Sequence, residues 1–481
     1  MSVVDSAHAD CPLVVDLDGT LLRSDMLVES AFAFFKGNPQ RLLAPVFWLK
    51  DGKANLKSKL AEAAPIDVTI LPYDPRVLSF LEQERARGRR LILATASHQN
   101  YADDIASHLG LFDRVLATHD DINLSAQTKR DVLLREFGEN GFDYVGNSHD
   151  DLHVWPAARN AWVANPERGV EAAAQKLGNL QKVIHTSDDP LRSWIKQLRL
   201  HQWSKNLLIF VPLLAAHGTG DIALLLTGLL AFALFGLCAS SVYLLNDLFD
   251  LEDDRRHPSK RFRPLACGAV PIKSALLLLP ILLLGAFAGA TLFLPWKFAL
   301  MLLAYYLLTL VYTLVLKRLM TVDVIVLAML YTSRIIAGAF AFGLAPTFWM
   351  LAFSMFLFLS LAFIKRYAEL HEVRASGTDD VAWGRGYRSS DLEIISSLGA
   401  SSGYLAVLVL AFYIQEQSTL ALYRHPQVIW LACPILLYWV TRIWMIAHRG
   451  KMHDDPVAFA LKDRASIVVV VLFALVFWAA T

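Results

Sequence analysis

The rhythm of hydrophobic and polar positions changes near Trp203. Before it, apolar runs are short. Leu13-Val-Val15, Leu91-Ile-Leu-Ala94 and Phe142-Asp-Tyr-Val145 alternate with charged, helix-forming stretches such as residues 81–90. Short apolar runs separated by helices predict a parallel sheet with its site at the strands' carboxyl ends. After Trp203, long apolar runs dominate. A helix crossing a hydrocarbon core of ~30 Å needs about 20 apolar residues. Runs at 222–245, 274–294, 298–316, 322–345, 347–364, 394–414 and 427–447 meet that length, and 466–480 is marginal. A shorter run at 206–217 makes a ninth. The pattern predicts an α/β domain over 1–190 and an all-α membrane bundle of about nine helices over 191–481.

Composition agrees with two solvents. Hydrophobic residues make up 55% of the 481, mean hydropathy is +0.41 and 19% are charged, against roughly 25% charged in an ordinary soluble domain. A disordered chain and a wholly soluble one are both excluded. Forty-five basic residues face 44 acidic ones, so no basic excess points to nucleic acid. Cys11, Cys238, Cys267 and Cys433 have neither metal-ligand spacing nor a disulfide framework. The first residues are acidic and polar rather than a signal peptide.

Loop charges orient the spans. With nine spans, one side's loops hold Arg255, Arg256, Lys260, Arg261, Arg263, Lys273, Lys317, Arg318, Lys365, Arg366, Arg374, Arg385, Arg388, Arg449, Lys451, Lys462 and Arg464. The other side holds Lys297 and Arg424. Seventeen against two puts the N-terminal domain and the basic loops in the cytoplasm of a multi-pass cell-membrane protein.

Residues 13–20 form a buried-type strand running into a tight acidic turn. Carboxylates at i and i+2 on a strand end point the same way, so Asp16 and Asp18 can share one divalent cation and one phosphate. Thr95 ends a second strand-like run, Lys129 precedes a helical stretch, and Gly146-Asn-Ser-His-Asp-Asp151 closes a third. In order, these resemble the four motifs of the haloacid dehalogenase (HAD) superfamily, over residues 10–185 with a small helical cap at about 24–90. The resemblance implies Asp16 as nucleophile, Asp18 as general acid/base, Thr95 and Lys129 on the phosphate, and Asp151 among the Mg²⁺ ligands. An anionic nucleophile meets an anionic phosphate only if cations screen the repulsion. The fourth motif departs from the family's Gly-Asp by offering Asn147, an amide that can ligate Mg²⁺ through oxygen but adds no charge. An active phosphatase and a retained fold without activity are the competing readings.

The span ending at Leu245 runs into Asn246-Asp-Leu-Phe-Asp250-Leu-Glu-Asp-Asp254. At 100° per residue, i, i+4 and i+8 drift by only ~80°. Asn246, Asp250 and Asp254 therefore line one face, with Asp253 roughly beside them and Asp247 facing elsewhere. Hard oxygen ligands at a membrane helix end suit Mg²⁺ carrying a diphosphate, against a plain solvated acidic loop. The motif resembles the first acidic motif of the UbiA superfamily of intramembrane transferases, over residues 190–481. The surroundings are similar to its decaprenyl-phosphate phosphoribosyltransferase-like branch: Gln202-Trp-Ser-Lys-Asn206, residues 254–264, Arg334-Ile-Ile-Ala-Gly338, Ile364-Lys-Arg-Tyr-Ala-Glu-Leu370 and residues 455–464. Where aromatic prenyltransferases place a second acidic set, this chain has Lys365-Arg366-x-x-Glu369. Two cations and one carboxylate suit a phosphate-bearing ligand better than a second metal, against a simple Lys365–Glu369 pair at a helix end.

The resemblance implies phosphoribose moving from phosphoribosyl pyrophosphate to polyprenyl phosphate in the bilayer, with a role in envelope biosynthesis. Mg²⁺ would sit at Asn246, Asp250 and Asp254, and Lys260, Arg263, Lys365 and Arg366 would orient phosphates. The HAD-like domain would remove the product's 5-phosphate. Arg334 is read either as a lipid-phosphate ligand or as an internal partner. Lys205 and Asn206 are read as phosphate contacts against snorkelling, and Trp203 as an interfacial anchor. The alternative transferase moves a prenyl group from prenyl diphosphate to an aromatic acceptor such as 4-hydroxybenzoate. A non-catalytic scaffold or transporter is the third reading, and oligomerisation is left open.

Overall fold

The computed structural model describes residues 11–41, 43–119, 122–185, 189–376, 386–416, 423–452 and 455–481. Arg385 of the basic loops lies outside them. The chain forms two compact units, Met1–Leu198 with Leu244–Leu279, and Arg199–Tyr243 with Pro280–Thr481.

The first unit is built on a six-stranded sheet: β1 (Leu13–Val15), β2 (Leu91–His98), β3 (Arg114–Thr118), β4 (Asp143–Gly146), β5 (Ala161–Ala164) and β6 (Leu180–Ile184). The order is β3-β2-β1-β4-β5-β6, with every pair parallel. Both faces of a parallel sheet are covered, which explains unbroken apolar strands. Leu13 and Val15 pack with Leu91, Leu93 and Val145 on one face. Val14, between them, packs with Ile92, Tyr144 and Trp155 on the other. Val14 pairs in register with Ile92 of β2 and Tyr144 of β4. The chain thus winds away from β1 in both directions, leaving a crevice at its carboxyl end.

Between β1 and β2 lie the helices Met26–Gly37, Ala44–Lys50, Lys53–Ala63 and Pro75–Ala86. Phe34, Leu60 and Ala64 form a small core of their own, as expected of a helical cap. Asp25 starts the first helix by accepting from the Val28 amide at 3.0 Å, which satisfies an otherwise orphaned donor.

The segment Leu244–Leu279 belongs to this unit as well. Leu244, Leu248, Leu251, Leu265 and Val270 share a core into which Val28, Phe32 and Trp194 pack. Arg255 meets Glu29 with both terminal nitrogens, at 2.5 and 3.1 Å, and its Nε donates to the Ala266 carbonyl at 3.0 Å. The Ser24 hydroxyl also donates to Glu29. Arg255 and Glu29 are both buried, so a planar fork answers two carboxylate oxygens away from water.

The second unit is helical. Across the chain, among the described residues, seven helices are long and apolar enough to cross a membrane: Ile222–Phe249, Ile272–Phe293, Trp296–Leu314, Val322–Ala341, Phe348–Ala375, Ser389–Gln415 and Pro426–His448. An eighth candidate is the pair Pro456–Lys462 and Arg464–Ala480, bent by 83°. The expected ninth, 206–217, is a tighter 3-10 stretch, Leu200–Phe210, followed by the five-residue helix Val211–Ala215. Pro212 sits in that helix's first turn, where a missing N–H costs nothing, so a new helix starts there rather than continuing the old one. Seven or eight candidates among the described residues thus approximate the nine spans expected of a multi-pass membrane bundle. Trp203, expected at the interface, packs inside the bundle: its Nε1 donates to Ser240 at 3.0 Å, and its ring lies on Gly236, which has no room for a Cβ.

Replacing Glu29 with Ala strands Arg255 in a dry site, and the expected cost is about 3–5 kcal/mol. Thermal unfolding of the full chain in detergent should show a lowered Tm. The double variant Glu29→Leu with Arg255→Met should recover much of it, since no charge is left unpaired.

Candidate active sites

The first site stands at the carboxyl ends of β1, β2 and β4. Asp16 follows β1 directly and is buried. Lys129, from the helix Ala126–Phe137, donates to Asp16 Oδ1 at 2.6 Å and to the Tyr144 hydroxyl at 3.0 Å, and its Nζ lies 3.9 Å from Asp151. Burial pushes the Asp16 carboxyl up to about 7, against the pull of Lys129. Asp18 accepts from the Met26 amide at 2.8 Å and the Ser97 hydroxyl at 2.6 Å. Burial raises it to about 6, with Asp25 adding to the rise, which suits a group that gives and takes a proton near neutrality. Thr95 is fully buried and its hydroxyl accepts from the Ser97 amide at 3.0 Å.

Asn147 comes to this centre through a close approach. Gly19 has φ +79°, and a Cβ there would overlap the Asn147 amide. The Thr20 hydroxyl lies 3.3 Å from Asp16 Oδ2 and 3.2 Å from Asn147 Oδ1. One hydroxyl proton serves only one of these oxygens, so two hard acceptors converge with a lone pair to spare, a donor set that fits Mg²⁺. Asp151 is differently engaged. Its Oδ2 accepts from the Asn147 and Ser148 amides and the Ser148 hydroxyl, each at 2.9 Å, and its Oδ1 from Tyr144 at 2.7 Å. A Cβ on Gly146 would come within 2.6 Å of that carboxyl. Asp151 shapes the fourth-motif turn and holds Tyr144 against Lys129.

The second acidic group also lies in the first unit. The Asp250 amide donates to Asn246 at 2.9 Å and the Asp254 amide to Asp250 at 2.8 Å, so the four-residue spacing persists although Asp250 itself leaves helical geometry (φ −96°, ψ 11°). Asp247, expected to face elsewhere, is buried and joined to Asp254. Arg263 donates to Asp254 at 2.6 Å and to Asp247 at 3.2 Å. Gln197 fixes the other Asp247 oxygen at 2.8 Å and accepts from the Leu265 amide at 3.1 Å. Residues seven apart lie only ~20° from one another on a helix, so Asp247 and Asp254 share a face that the folded-back Arg263 bridges. Asp253, expected near the same face, is exposed on Lys36 at 2.8 Å. Burial pushes Asp254 up to about 6, opposed by Arg263 and reinforced by Asp247. Lys260 is exposed and adds positive potential at Asp254. Among the described residues, no three His, Cys or acidic side chains converge to hold a metal. Two carboxylates near one guanidinium still fit Mg²⁺, which is bound by one or two carboxylates plus substrate phosphates.

The second unit holds a cluster of cations inside its bundle. Lys205 donates to Asp455 at 2.9 Å, Lys365 lies 3.5 Å from it, and Tyr331 Oη is 3.2 Å from both of its oxygens. Arg334 donates to Asn206 Oδ1 at 3.1 Å and Tyr305 at 3.3 Å, under the rings of Phe235, Tyr305 and Tyr331. Arginine only donates, so Asn206 must turn its oxygen to Arg334, and its buried Nδ2 is left with no partner among the described residues.

Residues 207–462 match the UbiA prenyltransferase family, over half of the chain. The chain belongs to that family. Residues 13–154 match the haloacid dehalogenase-like hydrolase family, so a HAD-like domain precedes the UbiA domain. Across 98% of its length the chain is 38% identical to a Sinorhizobium fredii protein named uncharacterized protein y4nM, covering 92% of it. Over 60% of its length it is 37% identical to nodulation protein NoeC of Azorhizobium caulinodans, covering 92% of it. Over 56% it is 33% identical to decaprenyl-phosphate phosphoribosyltransferase of Mycobacterium tuberculosis, covering 88% of it.

Within this UbiA domain, Arg366 and Glu369 do not stand beside Lys365 at a phosphate. Arg366 is fully buried against Asp323, Glu369 and Tyr312, with its Nη2 at 3.1 Å from Asp323. Neighbours in sequence point about 100° apart on a helix, which separates Lys365 from Arg366. Sequence reasoning missed Asp455 and Asp247 as partners, although both lie inside the stretches that carry the resemblance. It also missed Ser97 and Tyr144, whose roles depend on strand register.

Arg366→Met takes a buried cation away from Asp323, which keeps the Tyr312 hydroxyl at 2.7 Å, and the full chain in detergent should lose about 3–5 kcal/mol of stability, read as a lower Tm. Lys365→Met should leave Tm nearly in place, because Asp455 keeps Lys205.

Proposed function

We propose that the UbiA domain transfers phosphoribose from phosphoribosyl pyrophosphate to polyprenyl phosphate, and that the HAD-like domain, over about 1–190, removes the 5-phosphate of the product. The observation that carries the transfer is the unbalanced positive charge inside the bundle. Among the described residues, Lys205 and Lys365 share Asp455, while Arg334 is held by the neutral Asn206 and Tyr305, and the orphaned Asn206 donor stands beside it. A cation excess and a spare N–H buried in a membrane protein are costly without an anion to answer them. A lipid phosphate supplies one. The similarity to decaprenyl-phosphate phosphoribosyltransferases supports the same reading.

In the reaction, the bond from ribose C1 to the diphosphate oxygen breaks with its electron pair leaving on diphosphate. A phosphate oxygen of polyprenyl phosphate forms the new bond to C1. Asn246, Asp250 and Asp254 would hold Mg²⁺ for the diphosphate, and Asp16 with Asn147 would hold it in the HAD-like site. When bound, Mg²⁺ supplies the charge that offsets developing anions at both places. Arg263 and Lys260 orient the diphosphate, and Lys205, Asn206 and Lys365 orient the acceptor phosphate. Arg334 holds Asn206 in its working direction. In the HAD-like site Asp16 attacks phosphorus, Thr95 and Lys129 hold the phosphoryl oxygens, and Asp18 protonates the ribose O5 as it leaves. Water then releases inorganic phosphate from Asp16, with Asp18 taking its proton. Both sites are assigned to the cytoplasmic side, on the strength of the loop charges.

Purified protein given labelled phosphoribosyl pyrophosphate and polyprenyl phosphate should form lipid-linked ribose and inorganic phosphate. Asp254→Asn should cut transfer by about 10²-fold or more, and Asp16→Asn should make lipid-linked phosphoribose accumulate with phosphate release stopped. Consumption of prenyl diphosphate with an aromatic acceptor instead would overturn the donor assignment. Asn147→Asp restores a charge to the HAD-like site, and less Mg²⁺ should then suffice for half-maximal phosphate release.

A further inference from the structure

The HAD-like centre is short of positive charge for a doubly anionic substrate. Asp16, Asp18, Asp25 and Asp151 gather there, and Lys129 is committed to the first and last of them. Two further lysines stand at its edge. Lys57, from the cap helix Lys53–Ala63, reaches the end of β2 and donates to the Ala96 carbonyl at 2.6 Å and to Asn123 Oδ1 at 2.7 Å. Ala96 lies between Thr95 and Ser97, and Ser97 holds Asp18. An ammonium has three protons, and two of these are spent. A small cleft opens beside it, lined by Lys57, Met26, Ser30, Ser97 and His98 among others. Lys273 lies 2.8 Å from Asp25 Oδ2, with its side chain 65% exposed. It is the second residue of the apolar helix Ile272–Phe293, which puts this ammonium where a membrane span meets water.

We propose that Lys57 and Lys273 form a second anion subsite at the mouth of the phosphatase centre, taking the phosphodiester of a lipid-linked sugar phosphate while its terminal phosphate reaches Asp16. The proposal rests on the phosphatase reading above. A cation on the cap selects a substrate with a second charge at the far end of the sugar, and a cation at a span's end meets one whose tail lies in the bilayer.

The test compares two soluble probes on the full chain in lipid nanodiscs: ribose 5-phosphate, and the same sugar carrying a methyl phosphodiester at C1. Phosphate release should favour the diester probe by about tenfold in kcat/KM, the worth of one charge-assisted hydrogen bond. Lys57→Gln should pull the ratio of the two KM values towards one, Lys57→Arg should restore part of it, and the exposed Lys273→Gln should reduce it with no change in Tm. An absent preference, or an equal fall on both probes in both Gln variants, would overturn the subsite. A Lys57-dependent preference without hydrolysis of lipid-linked phosphoribose would keep the subsite and sink the lipid-linked substrate. Hydrolysis of neither probe would sink both.

Discussion

A charge taken out of water has to meet its opposite, and each working region of this protein is organised by that demand. In the sheet domain Lys129 answers Asp16 across 2.6 Å. In the segment after the first long apolar helix, Arg263 lies between Asp247 and Asp254. In the bundle, Asp455 draws Lys205 and Lys365 together from different elements. Each pair is costly to desolvate and costlier to break, so the contacts that place these side chains are also those that hold the fold. Around Asn206 the balance does not close among the described residues, and a buried donor is left over.

The two chemistries of this chain are not separated as cleanly in space as along the sequence. The segment Leu244–Leu279 contributes Arg255 to Glu29, and Arg256 to Asp67 at 3.1 Å, both acidic partners lying between β1 and β2. Gly268, at φ +72°, lies against the Arg23 backbone, with no room for a Cβ. The acidic turn of the UbiA domain and the loop that follows Asp18 are therefore packed as one piece. A segment of the UbiA domain and the HAD-like domain thus share one compact unit.

Much of this was legible in the sequence, for identifiable reasons. The strands β1, β2 and β4 showed as short apolar runs because a covered parallel sheet tolerates no polar face. Asp16, Thr95 and Asn147 stand near strand ends that meet in one crevice of a doubly wound sheet, and they, with Lys129 on its helix, were readable through their order along the chain, which resembles the HAD motifs. The seven long spans followed from length and hydropathy alone. What escaped depends on chain reversal. Asp247 lies only ~20° from Asp254 on an ideal helix, so their shared face was there to be read, but the return of Arg263 that joins them was not. Arg366 and Lys365 looked equivalent as adjacent cations, whereas helical geometry sends one to Asp323 and the other to Asp455. The run at 206–217 has a span's composition, yet Pro212 and the 3-10 stretch before it shorten its reach.

The length of one helix carries a last implication. Ile222–Phe249 has 28 residues, so at 1.5 Å per residue it extends about 42 Å, beyond a hydrocarbon core of ~30 Å. A surplus of about two turns remains, and Asn246 and Asp247 stand in the helix's last turn. Polar side chains at such a helix end can stay hydrated while the same helix still spans the oil.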